Sequence, residues 1–442
     1  MENKKEYEER REYRRKRRQR SQIIAYMVLF CVIALLAVGM VQGARLLAKN
    51  RENSDTAQKN TQTSIDKLIG SEETIAPPTA EPEPTEEPKT QEELLEEKID
   101  AMLAEMPLVD KVAGLFIVTP EAITGVNTAV LAGEGTRTAL EEYAVGGIVY
   151  FKSNIESEQQ LKDMIQNTRQ YSRYPLFIAV DEEGGSVSRL ATAGLVEEQA
   201  SAAAIGATGD SSNAYQAGVS IGGYLADYGF NLDFAPVADI NNVEGSVMKD
   251  RAYGSDAAAV SPFVAAMLSG LQEQGVTACL KHFPGLGSTT ADTHDGIANI
   301  ERTAEELRSQ ELTVFQAGID AGVGMIMVGH ASAESLSGDK TPASMSEAIV
   351  TGILRNELGF EGIVITDAMN MAAVSQYYTS EQAAVMALKA GCDMVLMPEN
   401  FLQAYAGVLN AVTEGTISEE RINDSLRRIY RIKYAEEFKG EN

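Results

Sequence analysis

The chain has 442 residues, 44% of them hydrophobic and 23% charged, so it can bury a sizeable core and is too apolar to be disordered throughout. Its formal charge of −26 is uneven: residues 1–20 hold ten Lys and Arg against five Glu, a local +5 that leaves −31 on the rest. Such an acidic body repels polyanions and excludes nucleic acid as a partner, while Cys31, Cys279 and Cys392 share no short spacing, so neither a disulfide framework nor a zinc site is expected.

Residues 1–22 form a basic segment that ends in the cluster Arg14-Arg15-Lys16-Arg17-Arg18 and its flank. Residues 23–41 then contain no charged side chain, and 19 residues in a helix span about 28 Å, close to the hydrocarbon thickness of a bilayer. Positive charge stays cytoplasmic, so the expectation is a single-pass membrane anchor with the body outside the cytoplasm. The small residues Gly43 and Ala44 after the apolar run leave a cleaved signal peptide as the competing reading.

Residues 42–90 turn polar and then rich in Pro and Glu, with Pro77, Pro78, Pro82, Pro84 and Pro88 close together. Without large apolar side chains no core offsets the ordering entropy, so a disordered stalk is expected here. Order resumes with the capping box Thr90-Gln91-Glu92-Glu93, ahead of Leu95, Ile99, Met102, Leu103 and Met106 at helical spacing. Residues 91–442 form the expected catalytic body. Short apolar runs at 114–118, 147–151, 176–180, 232–236, 277–281, 324–328, 363–366 and 394–397 alternate with helical patterns, which predicts an α/β (β/α)8 barrel. The competing architecture is an open doubly wound sheet. Ile422, Leu426, Ile429 and Ile432 mark the apolar stripe of a closing helix.

In a parallel barrel, site residues belong at the carboxyl ends of strands. Asp181 follows one such run and opens Asp181-Glu182-Glu183-Gly184-Gly185-Ser186-Val187-Ser188-Arg189, whose glycines allow positive φ or close approach to a ligand. Lys281 and His282 end another run, and Asp367 ends Ile363-Val364-Ile365-Thr366. Asp233 and Asp239 bracket Phe234-Ala235-Pro236-Val237, where helix capping or barrel packing is the expected role. In an extended segment, residues two apart face the same way, so the Asp292 carboxylate is expected beside the His294 ring, raising its pKa toward that of a proton donor at neutral pH.

Together these stretches resemble the family 3 glycoside hydrolases, specifically the single-domain β-N-acetylhexosaminidase branch. The resemblance runs from Pro107 to Lys433 and includes Met106-Pro107-Leu108-Val109-Asp110-Lys111-Val112, the Asp181-to-Arg189 stretch, Asn231-Leu232-Asp233-Phe234-Ala235-Pro236-Val237-Ala238-Asp239, Asp250-Arg251-Ala252-Tyr253-Gly254 and Lys281-His282-Phe283-Pro284-Gly285. It implies that Asp181, Arg189, Arg251, Lys281 and His282 bind the terminal sugar, that Asp367 is the nucleophile, that His294 is the acid/base and that Asp292 orients it. The implied reaction is retaining removal of terminal N-acetylglucosamine, without a cofactor, on cell-wall-derived glycans; water or phosphate stays open as acceptor.

Leu286 stands where the family pattern usually has a second histidine, and Ser288 where it often has an aspartate. Trp is absent, so stacking on a sugar face falls to Tyr or Phe, with Tyr253 the expected residue. Gly285, Gly287 and Gly296 suggest a mobile loop over residues 285–296. No second domain follows, which on this resemblance points to the hexosaminidase branch. Two other classes fit the same residues: a metal-dependent hydrolase with His282, His294 and Asp367 as ligands, and a non-catalytic glycan-binding barrel.

Overall fold

The computed structural model describes residues 89–438. The expected basic segment, anchor and most of the stalk lie outside those residues. Among the described residues no helix is long and apolar enough to cross a membrane.

Eight parallel strands close into a barrel: β1 (Phe116–Val118), β2 (Gly147–Val149), β3 (Phe177–Val180), β6 (Leu232–Asp233), β7 (Thr277–Phe283), β8 (Met325–Val328), β9 (Ile363–Ala368) and β10 (Met394–Leu396). The closing pair aligns Phe116 with Val395 and Ile117 with Leu396. A two-stranded hairpin, β4 (Glu182–Gly184) and β5 (Val187–Ser188), stands apart from the barrel after β3. All eight expected runs fall on barrel strands, and closure removes the open-sheet alternative. The fourth is shorter than expected: Pro236 has no N–H for the ladder, and beyond Asp233 the pairing continues only as a bridge between Val237 and Lys281.

Helices separate successive strands, among them Glu158–Tyr171, Ser212–Tyr228, Ala257–Glu273 and Ser380–Ala390, and Phe401–Thr413 follows the last strand. The helix Gln91–Glu105 starts as its capping box requires: the Glu93 N–H donates to Thr90 Oγ1 at 3.2 Å and the Thr90 N–H to Glu93 Oε2 at 2.8 Å. The helix Glu419–Tyr434 buries Ile422, Leu426 and Ile429, with Ile432 half-buried beside them.

The amino-terminal end of the barrel is fastened by Asp393, fully buried at the start of β10. It accepts from Arg355 at 2.5 Å, Ser425 Oγ at 2.8 Å, the Val364 N–H at 2.9 Å and Arg428 at 3.2 Å. Charge and hydrogen bonds thus join β9, β10 and the last helix at the end away from the site, where barrels place stability rather than chemistry.

Candidate active site

The carboxyl ends of the strands surround a cavity of about 450 Å³ lined by Asp181, Arg189, Arg251, Lys281, His282, Asp292, His294 and Asp367. All eight residues singled out in the sequence therefore face one space, although they come from the ends of β3, β7 and β9 and from the loops that follow β3, β6 and β7. Met248, Met327, Met371 and Met397 also line the cavity, adding apolar surface to its ionic groups.

The ionic groups are organised by Lys281, whose side chain is 3% exposed. Its Nζ lies 2.8 Å from Asp181 Oδ1 and 2.7 Å from Glu183 Oε1. Arg189 reaches Asp181 Oδ2 at 3.1 Å, and Arg251 makes a two-pronged contact with Glu183 through Nε and a terminal nitrogen, each at 2.8 Å. Burial alone would push both carboxyl groups up; the Lys281 ammonium, with Arg189 beside Asp181 and Arg251 beside Glu183, instead holds them below the usual carboxylate range. Burial disfavours the Lys281 cation, yet the two carboxylates overcome it and raise its pKa. The wall is therefore ionised on both sides, and its fixed donors and acceptors suit the hydroxyls of a neutral sugar.

His282 is set by Asp239, which is fully buried. Asp239 Oδ2 lies 2.7 Å from the ring Nδ1 and 3.1 Å from the His282 N–H, while Oδ1 accepts from the Leu286 N–H at 2.5 Å and more weakly from the Gly287 N–H at 3.4 Å. One carboxylate thus fixes a cavity-lining ring and the start of the following loop. Capping, one of the roles expected of Asp239, is half of what it does: Oδ1 takes the first N–H groups of the short helical turn Leu286–Ser288, while Oδ2 holds the His282 ring. Asp233 does serve the packing: it is fully buried and accepts the Glu182 N–H at 2.9 Å, and burial pushes its carboxyl well up.

His294 and Asp292 meet as expected, with Nδ1 2.7 Å from Asp292 Oδ1, but by a different route. The segment is a turn rather than an extended strand: the His294 N–H donates to Asp292 Oδ1 at 2.8 Å and the Asp295 N–H to the Asp292 carbonyl at 3.0 Å. A short carboxylate that caps its own turn brings the ring over it without any strand geometry. Burial opposes ionisation of Asp292, but the His294 N–H and ring outweigh it and lower its pKa. With 69% of its side chain exposed, His294 stands at the rim, open to solvent.

Asp367 lies at the floor, 9% exposed, with its Oδ1 accepting the Ala368 N–H at 2.7 Å. Burial would raise its pKa; the His282 and His330 rings, the Ala368 N–H and Lys281 more than offset that, and it stays ionised below the ordinary range.

Tyr253 does not line the cavity. It is 6% exposed and stacks on Phe263 at 5.6 Å between ring centroids, because Phe263 in the helix behind offers an apolar partner. Phe151 and Phe234 are the aromatic rings on the cavity wall, and the Arg189 guanidinium lies 5.4 Å from the Phe151 centroid. Gly287 also has a different reason from the one expected: a Cβ there would lie 2.0 Å from the Ile240 carbonyl oxygen, so the residue permits close packing rather than motion. Among the described residues no three His, Cys, Asp or Glu side chains form a metal-binding set.

Three residues escaped the sequence reading. Glu183 completes the ion network, and its only local signal was the acidic turn that contains it. Glu311, 1% exposed, accepts from Ser288 Oγ and, at 2.8 Å, from Asn242, tying the loops after β6 and β7 together. Ser288 thus reaches a carboxylate where the family pattern often supplies its own. His330, the third histidine, is buried beside Asp367.

Comparison with known proteins identifies the family. Residues 95–432 match the Glycosyl hydrolase family 3 N terminal domain. The chain is 32% identical over 327 residues to a beta-hexosaminidase A of Pseudoalteromonas piscicida, covering 66% of this chain and 54% of that one. It is 34% identical over 274 residues to a beta-hexosaminidase of Nitrosomonas eutropha, covering 60% and 76% respectively. A glycoside hydrolase family 3 beta-N-acetylglucosaminidase from Paenibacillus sp. str. FPU-7 superposes with a TM-score of 0.69 at 33% identity, over 76% of this chain and 64% of that one. The chain therefore spans a little over half of the first relative and under two thirds of this structural one. From the motifs, the closed barrel and these matches together, the chain belongs to glycosyl hydrolase family 3.

Proposed function

We propose that the protein is a β-N-acetylhexosaminidase that removes terminal N-acetylglucosamine with retention of configuration. The observation that carries this reading is the meeting, in one cavity, of an ionised carboxylate at the floor (Asp367) and a carboxylate-held imidazole at the rim (His294 on Asp292). The names of the relatives support the choice of sugar.

In the proposed reaction, Asp181, Arg189, Arg251, Lys281 and His282 grip the hydroxyls of the terminal sugar. Asp367 attacks the anomeric carbon while His294 gives its proton to the leaving oxygen, producing a covalent glycosyl-enzyme. His294 then takes a proton from water, which attacks the same carbon and releases Asp367. Asp292 holds the ring through Nδ1 and leaves Nε2 to move the proton. The substrates we propose are peptidoglycan-derived glycans, reached by a body held outside the cytoplasm on the anchor at residues 23–41.

Turnover of an aryl β-N-acetylglucosaminide by the full chain tests this, beside Asp367→Asn and His294→Ala. The aspartate change should lower kcat by about a thousandfold or more. The histidine change should cost roughly 100-fold or more on poor leaving groups and much less on activated ones, which need little protonation. Wild-type rates in both variants, or glycan binding without turnover in the wild type, would defeat the reading.

A further inference from the structure

We propose that His330 is a positioning residue for the nucleophile: through its ring it holds the carbonyl of Ala368, the residue after Asp367, whose own N–H holds one oxygen of Asp367 and leaves the other for the sugar. This inference rests on the function proposed above.

His330 follows β8 and is 1% exposed. Its two ring nitrogens are both engaged, Nε2 with the Ala368 carbonyl at 3.0 Å and Nδ1 with Ser344 Oγ at 2.8 Å. A carbonyl oxygen only accepts, so Nε2 carries the hydrogen, and in the neutral ring Nδ1 must accept from the Ser344 hydroxyl. Burial pushes the His330 pKa down, against the nearby Asp367 charge, which fits that neutral tautomer. The relay can then be followed in one direction: the Ser344 hydroxyl donates to His330, His330 to the Ala368 carbonyl, and the Ala368 N–H to Asp367 Oδ1 at 2.7 Å.

The anchors of this relay are themselves rigid. Ser344 is fully buried, and its N–H donates to the Gly329 carbonyl at 3.0 Å, which fixes the donor against the residue preceding His330. The Ala368 carbonyl also accepts the Met371 N–H at 3.0 Å, and Met371 lines the cavity. A single imidazole therefore braces the turn that carries the nucleophile on one side and an apolar wall residue on the other. Asp367 receives no hydrogen bond within the described residues except that from the Ala368 N–H, so the orientation of its carboxylate depends on how the Ala368 backbone is held, and His330 holds it from the carbonyl side.

Displacing a reacting atom by about 1 Å costs on the order of 100-fold in rate. The test compares His330→Phe, His330→Gln and Ser344→Ala with the wild-type full chain on an aryl β-N-acetylglucosaminide, recording kcat, KM and Tm. His330→Phe should lower kcat roughly 10- to 100-fold with KM within about threefold. His330→Gln, whose amide can still donate to the Ala368 carbonyl, should recover most of that loss. Equal rates in the Phe and Gln variants, or a lowered Tm with kcat within about twofold of wild type, would overturn the inference. If His330→Phe does not fold, Ser344→Ala decides: it should lower kcat several-fold at unchanged KM, and wild-type kcat would overturn the relay. A wild-type chain without turnover would remove the functional reading and this inference together, whereas an active wild type with unaffected variants would remove the inference alone.

Discussion

Glu183 and Lys281 are joined at 2.7 Å with side chains only 5% and 3% exposed, and this pair holds the ionic wall of the cavity together. Each residue also has a second partner, Arg251 for Glu183 and Asp181 for Lys281. A buried charge stripped of its partner is costly, whereas the intact set is balanced.

Lys281→Met should therefore destabilise the protein by about 2–4 kcal/mol at neutral pH, since it leaves two shielded carboxylates with one arginine each, Arg189 for Asp181 and Arg251 for Glu183. Urea unfolding monitored by circular dichroism measures it. Glu183→Gln, which keeps the shape but removes the negative charge facing Arg251 and Lys281, should instead raise KM by about tenfold or more through a misplaced guanidinium.

Asp239→Ala should act on binding and on the loop after β7 at once. It removes the acceptor of the His282 ring and of the His282 and Leu286 N–H groups, so a loss of about 3 kcal/mol or more is expected, together with faster amide exchange at residues 285–296. Hydrogen exchange with mass readout checks the second effect; unchanged protection there would show that Asp239 does not hold the loop.

The pH dependence of stability should reflect two opposing sets of carboxyl groups. Asp181 and Glu183 have lowered folded pKa values, so their contribution is complete above the ordinary carboxylate range and is lost as pH falls through the folded values. Asp233 is raised, so its contribution is complete below the unfolded pKa and is lost as pH rises through the folded one. Asp233→Asn should accordingly gain stability relative to wild type as pH rises above the ordinary carboxylate range, where the wild type bears the cost of keeping Asp233 protonated. Urea titrations at several pH values test the slope, and parallel curves would contradict it.

Much of this was legible in the sequence because fully buried parallel strands read as continuous apolar runs, and all eight were found. The acid and imidazole residues were legible because strand ends and short motifs carry them. Glu183 was not, since its partners Arg251 and Lys281 are 68 and 98 positions away and meet it only through the barrel. The same holds for Glu311 under the loop and for His330 beside Asp367. Tyr253 was misplaced because composition says which aromatic residues exist but not which way a loop turns them. The Asp292–His294 pair was foreseen with the wrong backbone, since a turn and a strand can bring the same two side chains together.

Asp393→Ala offers a contrast with every site variant. At the opposite end of the barrel it would leave Arg355 and Arg428 without their buried carboxylate, lowering stability by about 3–5 kcal/mol while kcat and KM of the remaining folded enzyme stay near wild type. Denaturant titration and steady-state kinetics on one preparation separate the two.

The central claim is a covalent bond between sugar and Asp367, and trapping that bond addresses it most directly. The full chain is incubated with a fluorinated N-acetylglucosaminide bearing an activated leaving group, digested and sequenced by mass spectrometry. The account predicts one sugar per chain on the peptide that contains Asp367, and none in Asp367→Asn. A sugar attached to any other carboxylate, or steady turnover that never yields an adduct, would contradict it.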